Sequence, residues 1–312
     1  MSCLQLNCIL LFLFVCFVFC LLLLILLPLL LFLFINITCY HLEDNICCHN
    51  KWFFLNFFPC SSNRKRPDVK TTTDWFAPII WEGTYNRQVL EKYYKKLNIT
   101  IGLAVFATGK FVDQDLQQFL QSANKHFMIG FRSPLSIKLC AALKQPVWKD
   151  FNYIYMENLD VYITEHIQHE VNFLFSMTVN QVFKNDFGVE TLGKSVAQLH
   201  AWWYFRHAEN FPYERRPKSA AFIPFGEGDF YYHSAIFGGT PHEVVAFIKE
   251  YQKGVTSDNR NGLKSIYEHY LNKYLFINKP TKLLSPEHNW DPNFRTPPQI
   301  KHVKIAWHSK SI

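Results

Sequence analysis

The chain has 312 residues, 49% hydrophobic and 18% charged, which is enough for one sizeable globular domain with appendages. Its net charge of +7 is modest, and Lys and Arg are scattered apart from Arg64-Lys65-Arg66, a run that reads as a solvated linker at a domain edge. Charge therefore gives no case for nucleic acid as a partner. Eight of nine cysteines lie at or before Cys60 and Cys140 stands alone after it, which excludes an internal disulfide in the large C-terminal region. Cys47-Cys48 has no zinc-ligand spacing with histidine pairs.

From Ile9 to Ile35 no residue is charged, and Leu and Phe dominate. Roughly 27 residues span about 40 Å as a helix, more than the ~30 Å hydrocarbon core. A cleaved signal peptide has an apolar region of only about 7–15 residues. The run predicts a transmembrane signal anchor over 9–35, preceded by a short cytosolic tail over 1–8; an atypical leader is the alternative. Pro28 is tolerable within a span. The first Lys or Arg after it is Lys51, so flanking charge gives little orientation signal. Asn36-Ile37-Thr38 and Asn98-Ile99-Thr100 are glycosylation sequons that suit a lumenal chain. Residues 36–73 are irregular and read as a stem, with a compact domain expected over 74–312.

Within that domain, Ile99–Phe106 reads as a buried strand, followed by a turn at Thr108-Gly109 and a helix near Asp115–Phe127. Val171–Met177 is a second buried strand, and it delivers the chain into Thr178-Val179-Asn180. Phe230–Phe237 is a third, closed by Gly238-Gly239. Thr240 can cap a helix with Pro241 in its first position and Val244, Val245, Ile248 and Tyr251 as its apolar stripe. A last helix near Leu263–Phe276 would pack Leu263, Ile266, Tyr270 and Tyr274 on one side. Strands alternating with helices indicate an α/β domain with a mostly parallel sheet. Ligands bind at the carboxyl ends of such strands, which puts Phe106–Phe111 and Thr178–Asn180 near one crevice.

Specific blocks occur in order from Trp75 onward. They are Trp75-Phe76-Ala77-Pro78-Ile79-Ile80-Trp81-Glu82-Gly83-Thr84, Lys125-His126-Phe127-Met128, Tyr213-Glu214-Arg215-Arg216-Pro217 and Glu227-Gly228-Asp229-Phe230-Tyr231-Tyr232. Leu271-Asn272-Lys273-Tyr274-Leu275, Lys279-Pro280-Thr281-Lys282 and Leu284-Ser285-Pro286-Glu287 with Trp290-Asp291 follow. Over nearly all of residues 74–307 the chain resembles glycosyltransferase family 6, the family of the ABO histo-blood-group transferases and α-1,3-galactosyltransferases.

The resemblance implies a GT-A fold and a single-pass type II Golgi membrane protein with a lumenal catalytic domain. It implies retaining transfer of galactose or N-acetylgalactosamine from a UDP-sugar, in α-1,3 linkage, to a galactoside acceptor on a glycolipid or glycoprotein. Phe106, Ala107, Thr108 and Phe111 match the uridine-binding strand end, Phe111 standing where the family has Tyr. Thr178, Val179 and Asn180 match the diphosphate and Mn²⁺ triplet. His233 and Ala235 flank Ser234 in the segment that selects the donor sugar, where small residues suit either donor and the match leans to galactose. His200, Trp203, Pro212 and Asp291 match acceptor-contacting positions. Glu268 matches the carboxylate assigned as nucleophile or as stabiliser of the oxocarbenium-like transition state.

The chain departs from the family at four places. Thr178 and Asn180 replace the two metal-binding aspartates, and neutral oxygens hold a hard divalent cation poorly. Mn²⁺ affinity is therefore expected to fall severely, leaving either a decayed site or a diphosphate held by cations such as Arg215, Arg216 or Lys273. Ile154-Tyr155 stands in place of the arginine pair that supports the triplet. The chain is shorter than family members between Gly130 and Val171, so a sheet strand is expected to be lost unless Leu135–Leu143 fills its place. Ser265-Ile266-Tyr267 replaces the Trp-His-Asp run before Glu268.

Overall fold

The computed structural model describes residues 66–106, 112–131, 137–140 and 151–307, all within the compact unit Ser61–Ile312. The expected anchor over 9–35, most of the expected stem and the Asn36 sequon lie outside the described residues. Among the described residues no helix is long and apolar enough to cross a membrane.

A seven-stranded sheet forms the centre. In spatial order it runs Ile79–Ile80 (β1), Lys282–Leu284 (β8), Ser195–Leu199 (β6), Tyr232–Gly239 (β7), Phe173–Thr178 (β4), Ile101–Phe106 (β2) and Ile137–Cys140 (β3). Only β7 runs against its neighbours β4 and β6; the other pairings are parallel. This is the α/β domain with a mostly parallel sheet that the alternating pattern predicts. Leu174, Phe175, Ser176 and Met177 of β4 are all buried, so both faces of that strand are covered. That explains why it reads as a continuous apolar run rather than an alternating one. Gln181–Phe183 (β5) and Ile305–Trp307 (β9) form a separate antiparallel pair.

Helices flank the sheet: Arg87–Lys96 (α1), Val112–His126 (α2), Phe151–Tyr162 (α3), Pro241–Arg260 (α4) and Tyr267–Ile277 (α5). Asn86 starts α1 by accepting the Val89 N–H at 3.2 Å, and Lys95 and Lys96 close it. Thr240 is extended before α4, with Pro241 opening the helix, but the Thr240 side chain makes no cap bond. Val244, Ile248 and Tyr251 are buried as the stripe predicts, and Val245 is half-buried. Where β7 ends beside β6, a side chain on Gly239 would collide with the Lys194 carbonyl, so that close approach requires glycine.

Two expectations are corrected, and one stated alternative is met. The last helix begins at Tyr267, not Leu263; Ile266 is its N-cap residue and is 57% exposed, so Leu263 and Ile266 belong to the connection rather than to its buried face. The place feared lost between Gly130 and Val171 is filled, because β3 lies within 135–143 and pairs with β2 at the sheet edge. Arg66 is not solvated. It is 5% exposed, lies over the Trp81 ring and pairs with Asp68 and Glu287. The folded unit therefore includes residues from Arg66 onward that the sequence reading put in the stem.

Candidate active site

The strand register gathers the predicted positions. Phe106, the last residue of β2, pairs with Thr178, the last of β4. On the other side Met177 pairs with Ile236, so Ala235 follows next to Thr178. In β6, Gln198 pairs with His233 and Leu199 with Tyr232, after a register shift at Ala197/Gln198. His200 leaves β6 with its N–H bonded to the Tyr231 carbonyl at 3.0 Å. Ala107, Thr108 and Phe111 lie outside the described residues.

Helix α5 brings Glu268 to the same place from its first turn. The Glu268 carboxylate accepts the Ser234 N–H at 3.0 Å on Oε1 and the Tyr231 hydroxyl at 3.3 Å on Oε2. Ligand atoms of His200, His233 and Glu268 all lie within 4.8 Å of one another. Burial pushes the Glu268 carboxyl above its usual range, against the opposing pull of the Ser234 N–H and the Tyr231 hydroxyl. Burial, with the nearby Glu268 charge adding to it, raises the Tyr231 phenol, so that oxygen stays protonated and donates.

Both histidines are neutral. Burial lowers His200 to about 3 and His233 to about 4. His200 Nδ1 accepts the Trp202 N–H at 3.2 Å, and His233 Nδ1 accepts the Ala235 N–H at 3.1 Å. A backbone N–H cannot be reversed as an amide side chain can, so both rings carry their proton on Nε2. Asn289 Nδ2 lies 3.0 Å from the same His233 Nδ1. The His200 and His233 rings meet edge to face at 4.6 Å.

The remaining predicted residues divide. Trp203 is half-buried, 6.5 Å from the His200 ring and 6.1 Å from Tyr231, centroid to centroid. Pro212 is exposed between Phe211 and Tyr213, which both pack on Tyr231. Asp291 is 2% exposed, and its Oδ1 accepts the Asn293 N–H at 2.8 Å, so this carboxylate holds its own turn. Val179 is buried, and Gln181 just beyond the triplet donates to the Ala235 carbonyl at 3.2 Å.

The residues present do not fit a divalent cation. At the triplet, Thr178 and Asn180 bring no charge, and the Thr178 hydroxyl is buried without a partner. At the His200, His233 and Glu268 group, a metal on Nε2 would need the proton on Nδ1, where a backbone N–H already points in each ring. Behind the triplet, where the arginine pair is missing, Tyr155 shares a 2.9 Å hydrogen bond with Ser176 of β4, both side chains being buried. Of the three cations expected to hold a diphosphate, Lys273 lies over the Phe276 ring at 5.8 Å and the two arginines are engaged. Arg215 donates to the Ile223 and Pro224 carbonyls, and Arg216 is paired with Glu214 at 2.6 Å.

Sequence reasoning quoted Tyr231 and Asn272 inside motifs without giving them roles, and it missed Asn289 and Trp307. Trp307 pairs with Gln181 in β9 and sets its ring 5.3 Å from His233. Its strand is only Ile305–Trp307, too short for a period to reveal.

Comparison with known proteins finds relatives along most of the chain. The profile of Glycosyltransferase family 6 matches residues 41–146 and 133–312. A Mus musculus protein named N-acetyllactosaminide alpha-1,3-galactosyltransferase-like 1 is 58% identical over 263 residues, covering 78% of this chain and 82% of that protein. Glycosyltransferase 6 domain-containing protein 1 of Macaca fascicularis is 59% identical, with 78% and 85% covered. Globoside alpha-1,3-N-acetylgalactosaminyltransferase 1 of Homo sapiens is 37% identical, with 78% and 76% covered. The chain belongs to glycosyltransferase family 6.

Proposed function

We propose that the chain is a GT-A-type retaining transferase that moves galactose, or N-acetylgalactosamine, from a UDP-sugar in α-1,3 linkage onto a galactoside of a glycolipid or glycoprotein. The observation that carries this reading is the seat of Glu268: a carboxylate held by the Ser234 N–H and the Tyr231 hydroxyl, beside two neutral imidazoles. As UDP leaves, the anomeric carbon becomes electron-poor. An ionised Glu268 either bonds to that carbon or balances its charge. The acceptor oxygen then bonds on the face that UDP left, giving net retention, while its proton passes to the departing UDP phosphate. The raised proton affinity of Glu268 makes it a stronger nucleophile than an exposed carboxylate. His200 and His233 present Nε2–H donors suited to sugar oxygens. No step is assigned to a metal, because neither candidate donor set fits one.

The uncharged stretch Ile9–Ile35 supports a single-pass type II anchor in the Golgi membrane, with the catalytic domain in the lumen. Galactosides on glycolipids and glycoproteins are the acceptors such a placement would offer.

The test incubates the full chain in detergent micelles with UDP-galactose or UDP-N-acetylgalactosamine and a lactose-type acceptor, in EDTA, beside Glu268→Gln. Transfer that is lost in the variant supports the proposal. The absence of both transfer and donor hydrolysis overturns it, and glycan binding without turnover would make the chain a binding member of the family.

A further inference from the structure

A polar cluster around Asp258 meets the helix that carries Glu268. Asp258, in the last turn of α4, is fully buried, although a carboxylate near a helix C-terminus is disfavoured by the helix dipole. Four neutral groups donate to it. They are the Ser219 hydroxyl at 2.6 Å, the Ala220 N–H at 2.6 Å, the Tyr270 hydroxyl at 2.8 Å and the Ser265 hydroxyl at 3.2 Å. The single Ser265 hydrogen is shared between Asp258 and Glu214, whose Oε2 is the nearer acceptor at 2.9 Å. Tyr270 reaches Asp258 because residue 254, one turn earlier on α4, is glycine: a Cβ there would lie 2.9 Å from Tyr270 Cδ1. Glycine inside a helix costs about 1 kcal/mol relative to alanine, so the space it leaves has a use.

Ser265 and Tyr270 bracket Glu268 in sequence, three residues before and two after. The N-cap of α5, Ile266, has no side chain that can hold the helix end. We propose that Asp258 is a positioning residue for Glu268: it fixes the first turn of α5 through Ser265 and Tyr270, so that the carboxylate meets the Ser234 N–H. This rests on the reading of Glu268 as the carboxylate at the anomeric carbon. In the family that stretch carries a Trp-His-Asp run; here the serine at its start turns inward to the Asp258 cluster.

The experiment compares the full chain with Asp258→Asn and Gly254→Ala. The asparagine keeps the volume but turns one acceptor oxygen into a donor, facing hydroxyls and an N–H that already donate. Two readouts are taken: hydrogen exchange at the Ser234 amide, and the kcat and KM of transfer. Protection at Ser234 is expected to fall about ten-fold or more, with amides of Ile236 and Phe237 in the same strand unchanged, a local loss equivalent to about 1.4 kcal/mol. kcat is expected to fall about ten-fold while donor KM stays within about two-fold, the pattern of a group needed in the transition state only. Gly254→Ala, which displaces Tyr270 and leaves the carboxylate, is expected to act in the same direction. Ser234 protection that stays intact in both variants, or that falls in step with every amide of the strand, overturns the proposal. If Asp258→Asn does not fold, Gly254→Ala decides alone. A local loss of Ser234 protection in a wild-type chain that transfers no sugar would uphold the anchoring and sink the functional reading.

Discussion

Asn272 holds the backbone of Tyr232 on both sides. Its Oδ1 accepts the Tyr232 N–H at 2.9 Å and its Nδ2 donates to the Tyr232 carbonyl at 2.9 Å. The same Nδ2 lies 2.9 Å from the carbonyl of Glu268, one turn earlier in α5. One buried amide therefore links the helix carrying Glu268 to the strand carrying His233. Asn272→Ala leaves two buried backbone groups unpaired and is expected to cost about 2–4 kcal/mol, read from chemical denaturation of the full chain. A loss under about 0.5 kcal/mol would mean that water satisfies both groups.

The two carboxylate partners make a pH prediction with a definite sign. Burial raises Glu268 above the ordinary 4.5, so transfer should fail on the acid side at a pH above that of an exposed glutamate. The Tyr231 hydroxyl stabilises the ionised form, so Tyr231→Phe should move the acid limb higher still. His200 and His233, lowered to about 3 and about 4, stay neutral over the working range, and no limb is expected near 6.5. A bell centred on an ordinary histidine value would show that an imidazole titrates in turnover and would remove the neutral tautomers from the mechanism. Replacing Glu268 by Gln should lower kcat by about 10²–10³ with UDP affinity kept.

At the triplet the prediction runs through gain rather than loss. Thr178→Asp with Asn180→Asp restores two carboxylates at the end of β4, next to Tyr155 and Ser176 in place of an arginine pair. Calorimetry with Mn²⁺ should show binding in the double variant and none in the native chain. Like charges so close disfavour the ionised pair without a cation, so the variant should be less stable in EDTA than in Mn²⁺. Equal heats for both proteins would show that the native donors hold the metal after all.

How much of this was legible follows from what each residue does. The strands that end at Phe106 and Thr178 were readable because buried parallel strands are unbroken apolar runs, and the Val244, Ile248 and Tyr251 stripe was readable from a helical period. The Glu268 position came from its motif, since a half-buried glutamate in a first helical turn carries no periodic signal. Asn272, Asp258 and Ser234 were opaque for another reason. Their partners lie 40, 38 and 34 residues away, and the contacts are to backbone atoms or hydroxyls that any sequence supplies. The start of α5 was misjudged because Leu263 and Ile266 fit the apolar stripe, whereas the chain before Tyr267 is fixed by Ser265 and Asp258 instead.

Arg66 sets where the folded unit begins. Its guanidinium donates to the Glu82 carbonyl at 3.2 Å and the Gln299 carbonyl at 2.6 Å, pairs with Asp68 at 3.0 Å and lies 3.5 Å from Glu287. Glu287 is fully buried and also accepts the Glu82 N–H at 2.8 Å and the Lys301 N–H at 3.0 Å. Three distant segments thus meet on one arginine-carboxylate pair. Removing one member of a buried pair leaves the other charge without its counter-ion, which costs about 3–5 kcal/mol. Arg66→Ala should lower stability by that amount in denaturant unfolding, and Arg66→Lys, which cannot make the forked contacts, by a lesser part of it. A chain begun at Asp74 should be destabilised at least as much as the alanine variant. It also loses the acceptors that Thr71, Thr73 and Lys70 offer to Ile79, Ala77 and Trp81, whereas one begun at Ser61 keeps these contacts. Equal denaturation midpoints for the two truncated chains would show that residues 66–73 are dispensable and return them to the stem.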